Sequence, residues 1–380
     1  MTSKIRLSLF LTLMSAIGIL QINLASATRS EQTFGTSLDL EVPSLLKKFS
    51  ISNASIVKIE DGKISLNKVY GEQSKGVLAT ATTLYNVASM TKPITAEVVL
   101  RLASIPQDMK FSAKCTARKI SLDERMSSYW IDPDIANDSR SELLSPRLSL
   151  SHKSGFPNWR YQTNGKLSFV HTPGEIFGYS GEGYNYLTKF VEKKSHCTFE
   201  ELAQHLLFDP LSMKDTTYTN RDWIKHRIAI PTDAEGKELK PVIASSYNAA
   251  DLLYSTTTDY AKLMVSVMQN KGLTDELAKQ RMQVQTSRKD EICKSSKSVT
   301  CPSEVGIGLG WEVYQLEHSV YLMHTGKDEG IFTFAYINST TRSGIVVFTS
   351  SENGYKIILP ILDQMVEDKS FITLLHALYG

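Results

Sequence analysis

The feature that most constrains this chain's fold is where its strand-like text falls. Alternation of apolar and polar residues runs from Ala54 to Tyr70 and returns only after Gly308. In the first block the dipeptide Asp61-Gly62 separates two alternating runs, a strong short-range hairpin signal. In the last block Trp311–Gln315, Val320–His324, Ile331–Asn338 and Gly344–Thr349 are β-rich runs with turn residues between them. Between the blocks the text is mostly helical, clearest over Tyr184–Lys194 and Phe199–Leu207, the second ended by Asp209-Pro210-Leu211. Leu252–Gln269 reads as another helix, capped by Thr257-Thr258-Asp259, and an apolar helical stretch from Tyr355 into Leu378 closes the chain. Strands at both ends and helices between them predict an α/β protein of the α+β type, an antiparallel sheet flanked by helices with a mainly helical insertion. The sheet part is expected at about 40–90 and 250–380 and the helical part at about 93–250, together forming one domain over 28–380. Residues 107–119 are polar and irregular and read as an insertion carrying Cys115.

The first residues have the layout of a secretory signal over 1–27. Lys4 and Arg6 precede a mostly apolar run, Leu7 to Ile22, and Ala25-Ser26-Ala27 is an A-x-A cleavage signal. Ser8, Thr12, Ser15, Gly18 and Gln21 break the run, which argues against a stable membrane anchor. Cleavage would leave 353 residues (380 − 27), enough for a sizeable core. It would also remove two of the 42 Lys and Arg, leaving 40 against 40 Asp and Glu. A neutral chain with no basic block offers no footprint for nucleic acid, so the expected partner is a small molecule or a polymer end. The oligomeric state stays open. An even set of four cysteines suits export to the periplasm or beyond. Cys293 and Cys301 bracket a polar segment and are expected to pair locally, leaving Cys115 with Cys197. Their spacing fits no zinc pattern and the eight histidines form no His-x-His or His-Glu-x-x-His group, so no metal and no cofactor is expected.

Three stretches could carry chemistry. In Val87-Ala88-Ser89-Met90-Thr91-Lys92-Pro93, an extended segment turns into a helix at Ser89. Lys92 falls one turn along the same face, and Pro93 stands in the first turn, where its missing N–H costs little. Ser-x-x-Lys recurs at Ser44, Ser55 and Ser65, so spacing alone proves nothing. Ser55 and Ser65 sit in strand text, where residues three apart face opposite ways. The second stretch, Pro173 to Tyr184, is a glycine-rich loop holding Tyr179. A tyrosine near an ammonium can have its pKa lowered from about 10 and serve as a base. Within it Gly178-Tyr179-Ser180-Gly181 is no nucleophile elbow, because Glu182 stands where that motif needs glycine. The third, Met323-His324-Thr325-Gly326-Lys327, ends a strand and is followed by Gly330; an exposed edge there could offer an N–H to a developing oxyanion.

In this order the three stretches resemble the serine β-lactamase and penicillin-binding-protein superfamily, most of all its class C-like branch, which includes esterases and D-amino-acid peptidases. Leu150–Pro157, Leu253–Thr256 and Gly308–Trp311 share the family look, so the resemblance covers about residues 40–360. It implies that Ser89 is the nucleophile, Lys92 the activating amine, and Tyr179 the general base and leaving-group donor. His324, Thr325 and Gly326 take the substrate strand, with the N–H groups of Ser89 and Lys327 as the oxyanion hole. The chain departs from the pattern twice. Tyr179-Ser180-Gly181 lacks the family's amide at the third position, and His324 replaces a lysine, weakening recognition of a substrate carboxylate. The resemblance leads to the expectation of an exported hydrolase acting through a Ser89 acyl-enzyme on a small-molecule or peptidoglycan-like substrate, with an ester or D-amino-acid peptide ahead of a β-lactam. The alternative is an idle relative that binds cell-wall fragments or a partner protein.

Overall fold

In the computed structural model, which describes residues 37–295, 301–316 and 318–380, the Asp61-Gly62 turn behaves as its chemistry requires. Both residues take positive φ, 48° and 72°, and the turn joins β1 (Asn53–Glu60) to β2 (Lys63–Ser74). β3 (Val77–Leu78) borders β2, while β4 (Thr286–Ser287), β5 (Glu304–Ile307), β6 (Glu312–Leu316), β7 (Ser319–Asp328), β8 (Ile331–Asn338) and β9 (Ser343–Thr349) come from the last third of the chain. These form one nine-stranded antiparallel sheet in the order β3-β2-β1-β9-β8-β7-β6-β5-β4. The two ends of the chain thus meet where β1 pairs with β9, Val57 opposite Val346.

Both faces of the sheet are covered, and the strands alternate between two cores. Val57, Ile59, Ala335, Ile337, Val346 and Phe348 face the helical insertion. Ala54, Ile56, Phe334, Tyr336, Ile345 and Val347 face a layer formed by α1 (helical residues 37–49) and the C-terminal helices. On the insertion side lie α2 (Thr91–Ser104), α3 (Gly181–Ser195) and α4 (Thr257–Met268). On the other side lie α5 (Ile358–Met365) and α6 (Lys369–Tyr379). Cys115 is bonded to Cys197, with Cα atoms 4.6 Å apart, and Cys293 to Cys301, as the sequence pattern suggested.

Four expectations shift. The helix expected from Leu252 begins at Thr257, because Tyr254–Ser255 is drawn out to pair with Tyr85–Asn86; Thr256 is its cap, accepting from the Asp259 N–H at 3.1 Å. Asp209-Pro210-Leu211 does not end the helix before it: a π-turn over Gln204–Phe208 lets the helix continue through Asp209–Leu211. The 107–119 insertion contains a small pairing of Met109–Lys110 with Thr116–Ala117. The closing helical stretch breaks in two between Met365 and Lys369. The expected secretory signal, residues 1–27, lies outside the described residues.

Candidate active site

From Thr83 to Ala103 every residue is buried except Ser89. That lone opening sits on a single 3₁₀ turn, Ala88–Met90, which leads directly into α2. Ala88 holds a left-handed φ of 47°, a conformation that costs a residue with a Cβ on the order of 1 kcal/mol or more. The surroundings impose it. The Ala88 N–H donates to Asn86 Oδ1 at 2.9 Å, and the Thr91 hydroxyl to the Ala88 carbonyl at 2.6 Å. The Val87 N–H donates to the Leu253 carbonyl, the Thr333 hydroxyl to the Val87 carbonyl, and the Tyr260 hydroxyl to the Met90 carbonyl. β8, α4 and the strand before α4 therefore all grip the turn that carries Ser89.

Lys92, fully buried one turn along α2, donates to Ser89 Oγ at 3.1 Å and to the Ala250 carbonyl at 2.9 Å. Burial drives its ammonium down to about 7, against the pull of Asp251. The Ser89 hydroxyl in turn donates to Asp251 Oδ1 at 3.2 Å. Burial raises the Asp251 carboxyl to about 6, Lys92 opposing and Asp328 adding to the rise. Asp251 went unnoticed in the sequence: it lies 162 positions from Ser89 in an irregular segment, with no spacing signal to single it out. Its loop is tied down by Thr95, which donates to the Ala249 carbonyl at 2.7 Å, and by Asn185 and Asn248, whose amide oxygens accept from the Ala249 and Ala250 N–H groups.

Tyr179 joins this group, its hydroxyl close enough to that of Ser89 for the serine to favour the phenolate. Lys92 Nζ lies 4.6 Å from the ring centroid, against the face of the ring, and His152 stacks on Tyr179 at 4.3 Å. The depression of the tyrosine pKa expected from the nearby lysine is not found. Burial raises the phenol instead, and the Asp251 and Glu312 carboxylates push the same way. Tyr179 is 37% exposed and keeps its proton at neutral pH. His152 is neutral as well, held well below its usual range by burial and by Lys92, His324 and Arg288, with Nδ1 accepting from the Ser180 N–H at 3.1 Å.

The third position of the tyrosine stretch has a steric explanation. A Cβ on Gly181 would lie 2.4 Å from the Trp159 indole, so Trp159 occupies the space an asparagine would need. Glu182 does not replace it: its carboxylate accepts from Arg160 Nε at 3.0 Å, in a cluster with Asp132 and Asp134. Ser180 caps α3, accepting from the Gly183 N–H at 3.0 Å.

β7 forms the opposite wall. Gly326 is pressed against the nucleophile turn, where a Cβ would meet the Val87 carbonyl at 2.2 Å and the Thr333 hydroxyl at 2.3 Å. His324, two residues before it on the same face, is buried and held down at about 3 by burial and by Lys92. Its Nδ1 lies 2.7 Å from the Thr325 carbonyl, which can only accept, so Nδ1 carries the proton. Thr325 and Lys327 alternate to the other face and line a cavity of about 460 Å³ with Phe332, Phe334, Tyr355 and Leu375. β7 pairs with β6 only as far as Met323, whereas its pairing with β8 continues to Asp328 opposite Ile331. The two-residue connection between Asp328 and Ile331 turns the backbone groups of even-numbered β7 residues toward β8, and so those of odd-numbered residues toward the β6 side. The N–H of Lys327 therefore faces a strand edge left open beside Ser89. Gly330 does not line the site; it takes a φ of +69° in the β7–β8 turn and packs against Pro231 and Leu239.

Several known proteins resemble this chain in sequence or in fold. Protein flp of Staphylococcus aureus (strain MW2) is 25% identical over 351 residues, covering 86% of this chain and 66% of that protein, so the chain spans just under two thirds of that relative. The teichoic acid D-alanine hydrolase of Staphylococcus aureus is 23% identical over 240 residues, 58% of this chain and 56% of that protein. Among solved structures, the octameric penicillin-binding protein homologue from Pyrococcus abyssi superposes with a TM-score of 0.66 at 20% identity, covering 87% of this chain and 79% of its own. The D-alanine carboxypeptidase AmpC from Burkholderia cenocepacia gives 0.65 at 17%, covering 87% and 99%. A sequence model of the Beta-lactamase family matches residues 41–359, most of the chain, and the protein belongs to that family.

Proposed function

We propose that this protein is an exported serine hydrolase that works through an acyl-enzyme on Ser89, on an ester or D-amino-acid peptide bond ahead of a β-lactam. The observation that carries the reading is the one partly exposed residue in a buried run: Ser89 Oγ lies 3.1 Å from a buried Lys92 whose ammonium has fallen to about 7. A hydroxyl so placed, at a helix N-terminus and beside an open strand edge, has what acyl transfer requires. A carbonyl lying along β7 would meet Ser89 Oγ on one side and the N–H groups of Ser89 and Lys327 on the other. One such donor is typically worth about a hundredfold or more in rate. Tyr179, which keeps its proton, would hydrogen-bond the leaving atom.

The choice of substrate rests on His324. A neutral imidazole at that position recognises a substrate carboxylate poorly, and this favours esters and peptides over β-lactams. The two cysteine pairs suit an oxidising compartment. Among the described residues no helix is long and apolar enough to cross a membrane. The test is a panel of p-nitrophenyl esters, D-alanyl peptides and nitrocefin, with Ser89→Ala as control and intact-mass detection of a fluorophosphonate or penicillin adduct. Turnover lost in Ser89→Ala, with an adduct on Ser89, is the expected outcome. A folded protein that takes no adduct and turns over esters no faster than Ser89→Ala would instead be the idle binding relative.

A further inference from the structure

Ser89 has one hydroxyl proton, and its surroundings determine where that proton points. As an ammonium, Lys92 Nζ can only donate, to Ser89 Oγ at 3.1 Å and to the Ala250 carbonyl at 2.9 Å. Tyr179 keeps its own proton. An ionised carboxylate can only accept, and Asp251 Oδ1 stands 3.2 Å from Ser89 Oγ. The hydrogen-bond chain therefore runs from Lys92 to Ser89 to Asp251. The carboxylate is also held in place: both preceding residues are anchored, Ala249 by Thr95 and Asn185 and Ala250 by Lys92 and Asn248. We propose that Asp251 is the general base of this site, taking the Ser89 proton as Oγ attacks and returning it to the leaving atom.

This rests on the serine-hydrolase reading above and names the group that takes the Ser89 proton. In acylation the Oγ–H bond breaks, the proton passes to Asp251 Oδ1, and Oγ bonds to the carbonyl carbon, whose π pair moves to oxygen. As the oxyanion collapses, the bond to the leaving atom breaks and that atom takes the proton from Asp251. It is bound to the same carbon as Oγ, so a group within reach of one is within reach of the other. Deacylation repeats the cycle with water, whose proton goes to Asp251 and then to Ser89 Oγ. The charged and titratable groups facing Asp251 are Lys92 from α2, Asp328 from the end of β7 and Tyr179 from the loop before α3. Its ionisation, at about 6, leaves it a carboxylate at neutral pH. The rate should therefore fall as pH drops through that value.

The test uses the full chain as wild type, Asp251→Asn and Asp251→Ala, with two readouts across pH 5–8: fluorophosphonate labelling of Ser89 and hydrolysis of p-nitrophenyl acetate. Fluoride needs no proton to leave, so labelling isolates the base. Asp251→Asn, which cannot take a proton, should lose roughly a hundredfold in both rates, and the acid limb should vanish. Added formate should restore part of the activity of Asp251→Ala, which a misfolded protein would not allow. Labelling of the Asp251→Asn protein within twofold of wild type, with the acid limb intact, would overturn the assignment while leaving Ser89 as nucleophile. Wild type that takes no label at all would refute the serine-hydrolase reading, and the role of Asp251 with it.

Discussion

Gly326→Ala puts the packing of the site to a direct test. A methyl at this position would lie 2.2 Å from the Val87 carbonyl and 2.3 Å from the Thr333 hydroxyl, where ordinary contact begins near 3.4 Å. The Val87 carbonyl would have to recede by about 1.2 Å. It cannot do so alone, because it accepts the Thr333 hydroxyl at 2.9 Å and leads directly into the strained Ala88, which precedes Ser89. Overpacking of this kind costs about 1–3 kcal/mol, and a lost hydrogen bond adds about 1 kcal/mol. A total on the order of 2–4 kcal/mol should move a urea unfolding midpoint clearly. A displacement of about 1 Å at a reacting group can cost about a hundredfold in rate. Gly326→Ala should therefore be both less stable and about a hundredfold slower in ester turnover and fluorophosphonate labelling. A variant with the wild-type midpoint and labelling rate would show that β7 does not hold the nucleophile turn as described.

Lys92→Met should abolish labelling yet alter stability in a pH-dependent way. Burial lowers the folded-state pKa to about 7, whereas an unfolded lysine titrates near 10.4. Between those values the unfolded chain binds the extra proton, so wild-type stability climbs as pH rises from about 7 to 10, and below 7 the lysine is at its most unfavourable. Thermal melts should show Lys92→Met gaining most over wild type below pH 7, with the gap narrowing toward pH 10; a gap independent of pH would count against the buried, depressed ammonium. Gly181→Asn, which restores the missing amide, should cost about 1–3 kcal/mol through its collision with Trp159 and cost less in a Trp159→Ala background. Equal urea midpoint shifts in the two backgrounds would refute the steric account.

Local patterns in this chain are legible where a short rule acts. The Asp61-Gly62 hairpin, the strands after Gly308 and the start of α2 near Pro93 each depend on turn chemistry or on a periodicity spanning a few residues. The boundaries that moved are those where a distant partner prevails. Tyr254–Ser255 is pulled out of the helical pattern by Tyr85–Asn86, and a π-turn carries the helix past Pro210. For the site, spacing puts Ser89 and Lys92 on one face of a helix but cannot rank them above Ser44 and Lys47. Ser44 lies on α1, where its hydroxyl is taken up by the Leu40 carbonyl. What sets Ser89 apart is burial, and burial belongs to the whole fold.

The sequence by itself determined the antiparallel sheet built from both chain ends and singled out the three stretches that converge on one place. The tertiary structure decided their electrostatics. It turned Tyr179 from an expected base into a group that keeps its proton, lowered Lys92 to about 7, and brought Asp251 to 3.2 Å from the nucleophile. The physical reason is that a pKa records desolvation and the charges within a few ångströms. Residues 89 and 251 acquire that relation only when the chain between them has folded.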